Sequence, residues 1–123
     1  ELHIDINELE EFPNEITQII SLEYLNLSKN QIKSIPESIK NLKNLKNLII
    51  NANKLTEINK AIGSLTLLES LDIQYNNFSN LPGEIGNLTN LKKLSLSNNN
   101  IAGFPDKIGE LKNLEELSMS SLK

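Results

Sequence analysis

Apolar and polar residues alternate over short stretches of the chain, and residues 22–44 show this pattern most clearly. There, Leu25 and Leu27 alternate with Tyr24 and Asn26. Such alternation over a few positions is typical of a short β-strand with one face buried. We therefore predict a strand at this point, with its leucines directed into a core.

The residues that follow predict a short helical segment, which returns the chain to the start of the next strand. Pro36 has a fixed φ that suits the first turn of a helix. After it, Ile39, Leu42 and Leu45 recur at every third position, which is typical of a short α- or 3₁₀-helix with one apolar edge.

The whole unit recurs with a period of 23 residues and without insertion or deletion. The position of Asn30 holds Asn in all five repeats, whereas the position of Pro36 holds Pro in four repeats and Asn59 in the third. We expect a looser turn at Asn59, because no proline fixes φ there. A fixed period of this length indicates a stacked repeat protein, in which successive strands run parallel.

The series L-x-x-L-x-L-x-x-N-x-I, which residues 22–32 match at every position, resembles the leucine-rich repeat pattern. With its Ile-Pro pair and 23-residue period, the unit resembles the Ras-group repeats of eukaryotes and the multi-member leucine-rich repeat families of bacteria, notably those of pathogenic leptospires. The resemblance implies an α/β fold, a right-handed leucine-rich repeat solenoid with a curved parallel β-sheet on the concave face and short α- or 3₁₀-helical turns on the convex side. We expect a single domain over residues 1–123, with about five 23-residue repeats, a terminal half-repeat and no evident caps.

The composition fits a core of stacked aliphatic layers. The chain has 38% hydrophobic residues, 4% aromatic residues and no Trp, so Leu and Ile must fill the interior. Phe12, Phe78 and Phe104 occupy Leu or Ile positions, and we expect all three rings in the core. The absence of Cys excludes disulfides, thiolate metal sites and a cysteine nucleophile.

The charge balance favours a protein partner over nucleic acid or a membrane. The chain carries 12 basic and 16 acidic residues, for a net charge of −4, and neither sign forms a run. Nucleic acid and anionic lipid both require a basic patch. No apolar run approaches the roughly 20 residues that span a bilayer, so we expect no membrane insertion.

One asparagine recurs where each predicted strand turns inward. A buried amide needs partners, and its side chain can donate to and accept from the backbone of neighbouring loops. We therefore expect a structural asparagine ladder rather than a ligand site. Its members are Asn7, Asn30, Asn53, Asn76 and Asn99.

The outward positions of the strands form columns across the predicted concave face, with neighbouring strands about 4.8 Å apart. Unlike the core positions, these columns share no residue type. Ile49 beside Asn51, Asp72 and Tyr75 forms a small apolar centre with a polar rim, which is the usual anatomy of a protein interface. We predict that a protein partner binds through eight residues of this face: Tyr24, Asn26, Ile49, Asn51, Asp72, Gln74, Tyr75 and Lys93.

His3, Glu1 and Asp5 lie at alternate positions of the first strand and so point the same way. Such a trio is a candidate divalent metal site. We favour the alternative of a solvated end strand, because one His does not make a recurrent zinc site unaided. No cofactor is expected.

No nucleophile can be paired with a base, since the chain has one His and no G-x-S-x-G, phosphate-binding glycine loop or H-E-x-x-H. We therefore predict a non-enzymatic protein–protein interaction module. The resemblance favours a bacterial surface or secreted protein that contacts host molecules over a cytoplasmic one. Two alternatives stay open: a self-assembling protein that forms homo-oligomers through uncapped strand edges, and a metal-binding protein that uses His3.

Overall fold

The computed structural model describes residues 1–122, in which the predicted strands form one open parallel sheet. Six strands follow each other in chain order across it: β1 (Leu2–His3), β2 (Tyr24–Asn26), β3 (Asn47–Ile49), β4 (Ser70–Asp72), β5 (Lys93–Ser95) and β6 (Glu116–Ser118). Each neighbouring pair is in register with a shift of one repeat, as where Leu48 lies opposite Leu71. Residues 23 positions apart in the sequence therefore lie opposite each other on neighbouring strands.

Between successive strands the chain forms a 3₁₀ helix of five residues. These helices are η1 (Asn14–Gln18), η2 (Glu37–Asn41), η3 (Lys60–Ser64), η4 (Gly83–Asn87) and η5 (Asp106–Glu110). Short 3₁₀ pieces are common as connectors. Within residues 1–122, no helix has the length and apolar character needed to cross a bilayer.

The turn before the third helix does not loosen without proline, so that expectation was wrong. Pro36 precedes η2 with φ −74° and ψ 158°, and Asn59 precedes η3 with φ −61° and ψ 138°. The side chain of Asn59 accepts a hydrogen bond from the backbone N–H of Ala61 at 2.9 Å. This N-cap satisfies a donor that a helix start leaves free. Proline and an N-capping asparagine thus give similar φ and ψ angles at the residue before the helix.

The core lies between the sheet and the 3₁₀ helices as a stack of aliphatic layers. The central leucines of four strands are fully buried, namely Leu25, Leu48, Leu71 and Leu94. Phe12 and Phe78 are also buried, as predicted. Phe104 is not: it is 37% exposed, because no later repeat among residues 1–122 covers it. The expectation that all three rings lie in the core was therefore wrong for Phe104.

Two glycines allow neighbouring 3₁₀ helices to pack closely. A Cβ atom at Gly63 would lie 2.8 Å from the carbonyl oxygen of Glu84, and one at Gly86 would lie 2.6 Å from that of Lys107. Real Cβ atoms do not approach backbone so closely, so any side chain at these positions would push the helices apart. A Cβ atom at Gly109 would have no neighbour within 4 Å.

Shortly after each strand, one residue takes the left-handed conformation, which turns the chain toward the core. These residues have φ between 52° and 60°, and none is glycine: Ile6, Lys29, Ala52, Tyr75, Asn98 and Ser121. This conformation favours Gly, Asn or Asp and is least suited to a β-branched or bulky side chain. Ile6 and Tyr75 are therefore the most strained members of the set.

Candidate partner-binding surface

The sheet aligns the outward side chains in the columns that the sequence predicts. Tyr24, Asn47, Ser70, Lys93 and Glu116 are consecutive register partners in the first column. His3, Asn26, Ile49, Asp72, Ser95 and Ser118 are consecutive partners in the second. Ile49 thus lies between Asn26 and Asp72 on neighbouring strands.

Asp72 is the centre of a hydrogen-bond network on this face. The amide of Asn51 donates to Asp72 Oδ2 at 2.7 Å. The backbone N–H and the side-chain amide of Gln74 both donate to Asp72 Oδ1 at 3.1 Å. All three residues are half-buried. The network joins three of the predicted binding residues and fixes the direction in which the carboxylate faces solvent.

Two more predicted residues flank this network. Ile49 is half-buried, so part of its side chain is available to a partner. Tyr75 is 58% exposed and follows directly after Gln74. We call Ile49, Asn51, Asp72, Gln74 and Tyr75 the central patch. It combines an apolar side chain, an aromatic ring and a fixed carboxylate over β3, β4 and the turns that follow them.

The side chain of Asn26 is held in place by Ser28, which follows shortly after the same strand. Its Oδ1 accepts hydrogen bonds from the backbone N–H of Ser28 at 3.0 Å and from the Ser28 hydroxyl at 2.7 Å. Its Nδ2 group is therefore the part of the side chain left to reach a ligand.

Tyr24 packs against His3 rather than standing alone. The two ring centroids lie 5.0 Å apart, with the planes inclined by 38°. This spacing is within the range of favourable aromatic pairs. Glu1 approaches the same imidazole, with Oε2 at 3.6 Å from Nε2. The pair gives the N-terminal end of the face an aromatic surface.

The metal hypothesis gains no support from this geometry. Among residues 1–122, no three His, Cys, Asp or Glu side chains come together as a group that could hold a metal ion. His3 instead contacts Tyr24 and Glu1.

Toward its C-terminal end, the face carries an exposed ion pair and two buried serines. Lys93 is exposed and pairs with Glu116 at 3.0 Å, an ion pair in water that contributes little to stability. Ser95 and Ser97, which occupy outward columns, are each only 3% exposed.

Four of the five repeated asparagines are buried and bridge consecutive repeats. In each, Nδ2 donates to a carbonyl of the preceding repeat and Oδ1 accepts a backbone N–H from it. Asn53, for example, donates to Leu27 at 3.0 Å and accepts from Ile32 at 2.9 Å. The four are Asn30, Asn53, Asn76 and Asn99. Asn7 differs, because it is exposed and donates only to Ile4 and Asp5 in its own turn.

A second asparagine series, on the turns that lead into the strands, was not predicted. The exposed amides of Asn44, Asn90 and Asn113 each donate to a carbonyl 24 residues earlier, at 2.8, 2.7 and 2.6 Å. The signal was present in the sequence as the same 23-residue spacing. In the repeat between Asn44 and Asn90 the position holds Leu67, which is 43% exposed.

The repeat unit is shared with known proteins. Residues 45–123 match the family described as leucine-rich repeat region, and residues 20–63 match leucine-rich repeats in two copies. A solved structure of a leucine-rich repeat protein of Leptospira interrogans is similar to the chain, with 40% sequence identity and a TM-score of 0.91. That match covers 95% of this chain and 31% of the Leptospira chain, so the chain spans less than a third of the length of that protein. No curated protein matches. The register, the asparagine positions and these matches show that the chain belongs to the leucine-rich repeat proteins.

Proposed function

We propose that the chain is an interaction module whose concave face binds a protein partner. Leucine-rich repeat domains generally mediate protein–protein interaction and are typically non-enzymatic. The observation that carries the proposal for this chain is the central patch, where Asn51 and Gln74 hold the Asp72 carboxylate beside the half-buried Ile49. An apolar centre within a polar rim is the arrangement that protein interfaces use.

The structure supports binding with little loss of conformational entropy. The parallel sheet fixes the backbone of the central patch, and the Asp72 network fixes three of its side chains before a partner arrives. A surface ordered in advance avoids part of the ordering cost of association. Tyr75 and Ile49 supply the exposed apolar area, and tyrosine is enriched among the residues that dominate binding energy.

The test is affinity capture with the double variant Ile49→Asp and Tyr75→Ala. We expect it to lose the partner that the unmodified chain retains, with affinity lowered by at least about tenfold. Leu67→Asp is the matched control, because it also places a charge at an exposed apolar residue but outside the concave face. A partner that the double variant retains undiminished would place the binding site elsewhere.

The proposal extends to location. The similarity to a protein of Leptospira interrogans supports a bacterial source. We propose further that the protein is secreted or exposed on the cell surface, where it meets host molecules. Protease treatment of intact cells of the source organism checks this, since a surface protein is degraded while a cytoplasmic one is protected.

Self-association through the strand edges is a second candidate. Within residues 1–122, β1 and β6 each pair on one side only. Leu117 in β6 and Met119 after it are 41% and 44% exposed. Unpaired edges of this kind are templates for pairing with another chain. Light scattering that gives the mass of a monomer at high protein concentration would exclude this candidate.

A further inference from the structure

A shallow pocket lies beside the concave face, where the chain leaves β4 and β5. Its volume is about 230 Å³, below the roughly 300–1,000 Å³ of sites for drug-sized ligands, so it suits a ligand of about one ring. Its lining residues are Asn76, Asn77, Asn98, Asn99, Asn100 and Ser121. All are amides or hydroxyls, and none carries a charge.

Three of the lining amides are available to a ligand. Asn76 and Asn99 use their side chains in the bridges between repeats. The side chains of Asn77, Asn98 and Asn100, in contrast, make no hydrogen bond within residues 1–122, although their backbone N–H groups do. Each free carboxamide offers two donors and an acceptor, the same combination that a hydroxyl group needs.

Tyr75 immediately precedes Asn76, a lining residue of this pocket, and has a left-handed backbone that tyrosine does not favour. Its backbone N–H donates to the carbonyl of Ser97 at 3.0 Å, and Asn98 follows Ser97 in the turn after β5. Its φ is 53°, where Asn or Gly is preferred, and its side chain is 58% exposed. Tyrosine at this position therefore strains the backbone, and its side chain gains little burial in return. The left-handed φ itself recurs at the equivalent position of every repeat, so what distinguishes Tyr75 is the exposed aromatic ring that it adds to this turn.

We propose that the pocket binds a neutral sugar ring. The amides of Asn77, Asn98 and Asn100 would donate to and accept from its hydroxyl groups, while the Tyr75 ring would cover its C–H face. A neutral ligand fits because no lining residue supplies a charge to pair with an anion or a cation. The site shares Tyr75 with the central patch, but sugar binding does not depend on the proposed protein partner.

The direct test is a ¹H–¹⁵N NMR titration of the whole chain with neutral methyl glycosides of mannose, glucose, galactose and N-acetylglucosamine. We expect at least one to give saturable shifts at the backbone and side-chain amides of Asn77, Asn98 and Asn100, with a dissociation constant of the order of millimolar. No shift at these residues up to about 50 mM of every glycoside would overturn the proposal.

Two variants separate a ligand site from a structural role. Asn77→Ala with Asn100→Ala should weaken sugar binding by at least about tenfold. Tyr75→Asn should weaken it similarly while raising the melting temperature, because asparagine tolerates the left-handed backbone. Asn41→Ala, an exposed asparagine of η2, is the matched control and should change neither property.

N-Methylacetamide, an analogue of the peptide group, provides the competing arm of the titration. If it shifts the same amides and the glycosides do not, the pocket binds peptide backbone and the sugar proposal fails. Unchanged sugar affinity in both the Tyr75 and the double asparagine variants would also contradict it.

Discussion

The interior repeats and the first and last repeats of the described chain place similar residues at equivalent positions but bury them differently. Leu94 in β5 is fully buried, whereas its register partner Leu117 in β6 is 41% exposed. Asn53 is buried and bridges two repeats, whereas Asn7 is exposed and bonds only within its own turn. The residue type alone therefore does not set the contribution of a position to stability.

The difference follows from the one-dimensional architecture. Each repeat contacts only its neighbours, so the stability of the stack is close to a sum of repeat and interface contributions. A leucine, glycine or asparagine makes its full contribution to stability where a repeat lies on both sides of it. Matched substitutions at equivalent positions measure this dependence directly.

The largest contrast is expected for the strand leucines. Leu94→Ala should lower the free energy of unfolding by about 2–5 kcal/mol, because it leaves a cavity in a fully buried layer. Leu117→Ala should cost roughly 1 kcal/mol, because its side chain is already partly in water. Equilibrium urea unfolding of both variants provides the comparison. Equal losses would show that the two positions are packed alike in solution.

A second contrast concerns the glycines of the 3₁₀ helices. Gly86→Ala should destabilise the fold by about 1–3 kcal/mol, because its Cβ would lie 2.6 Å from the carbonyl oxygen of Lys107. Gly109→Ala should be neutral or slightly stabilising, by up to about 1 kcal/mol, because it meets no neighbour and restricts the unfolded chain. Thermal unfolding followed by circular dichroism measures both. A destabilised Gly109→Ala variant would contradict the open space at that position.

The asparagines provide a third contrast. Asn53→Ala should lower stability by about 1–3 kcal/mol, since it leaves the backbone N–H of Ile32 without a partner in a buried position and removes the hydrogen bond to the Leu27 carbonyl. Asn7→Ala removes hydrogen bonds that are exposed to water, and we expect a loss of at most about 0.5 kcal/mol. The melting temperatures of the two variants measure this difference in stability. An unchanged value for Asn53→Ala would refute its bridging role.

The regular part of the fold could be predicted from the sequence because the same spacing determines strand, turn and core position in every repeat. The 23-residue period by itself places Leu48 opposite Leu71. The failures occur where a position depends on a particular neighbour. Phe104 was expected in the core, but no later repeat among residues 1–122 covers it. Asn59 was expected to loosen its turn, but its side chain caps the helix.

The surface could be predicted only in outline. The period showed which residues face outward, including Asp72, Asn51 and Gln74, but not that their side chains form one network. Such contacts depend on the rotamers of residues on adjacent strands, which no spacing specifies. The burial of Ser95, an outward residue that is 3% exposed, also could not be predicted from the period.

The smallest effect is expected at Leu67, an exposed residue of an interior repeat. A substitution there tests the effect of exposure to water apart from the effect of position along the stack. Leu67 lies at a position that Asn44, Asn90 and Asn113 fill in other repeats with exposed amide bonds to carbonyls 24 residues earlier. Leu67→Asn should complete this outer series by donating to the carbonyl of Lys43, and we expect a gain of about 0.5–1 kcal/mol. Leu67→Ala is the control that removes the leucine without adding an amide. If the asparagine variant melts no higher than the alanine variant, an exposed bond contributes nothing measurable even in an interior repeat, and burial alone separates Asn53 from Asn7.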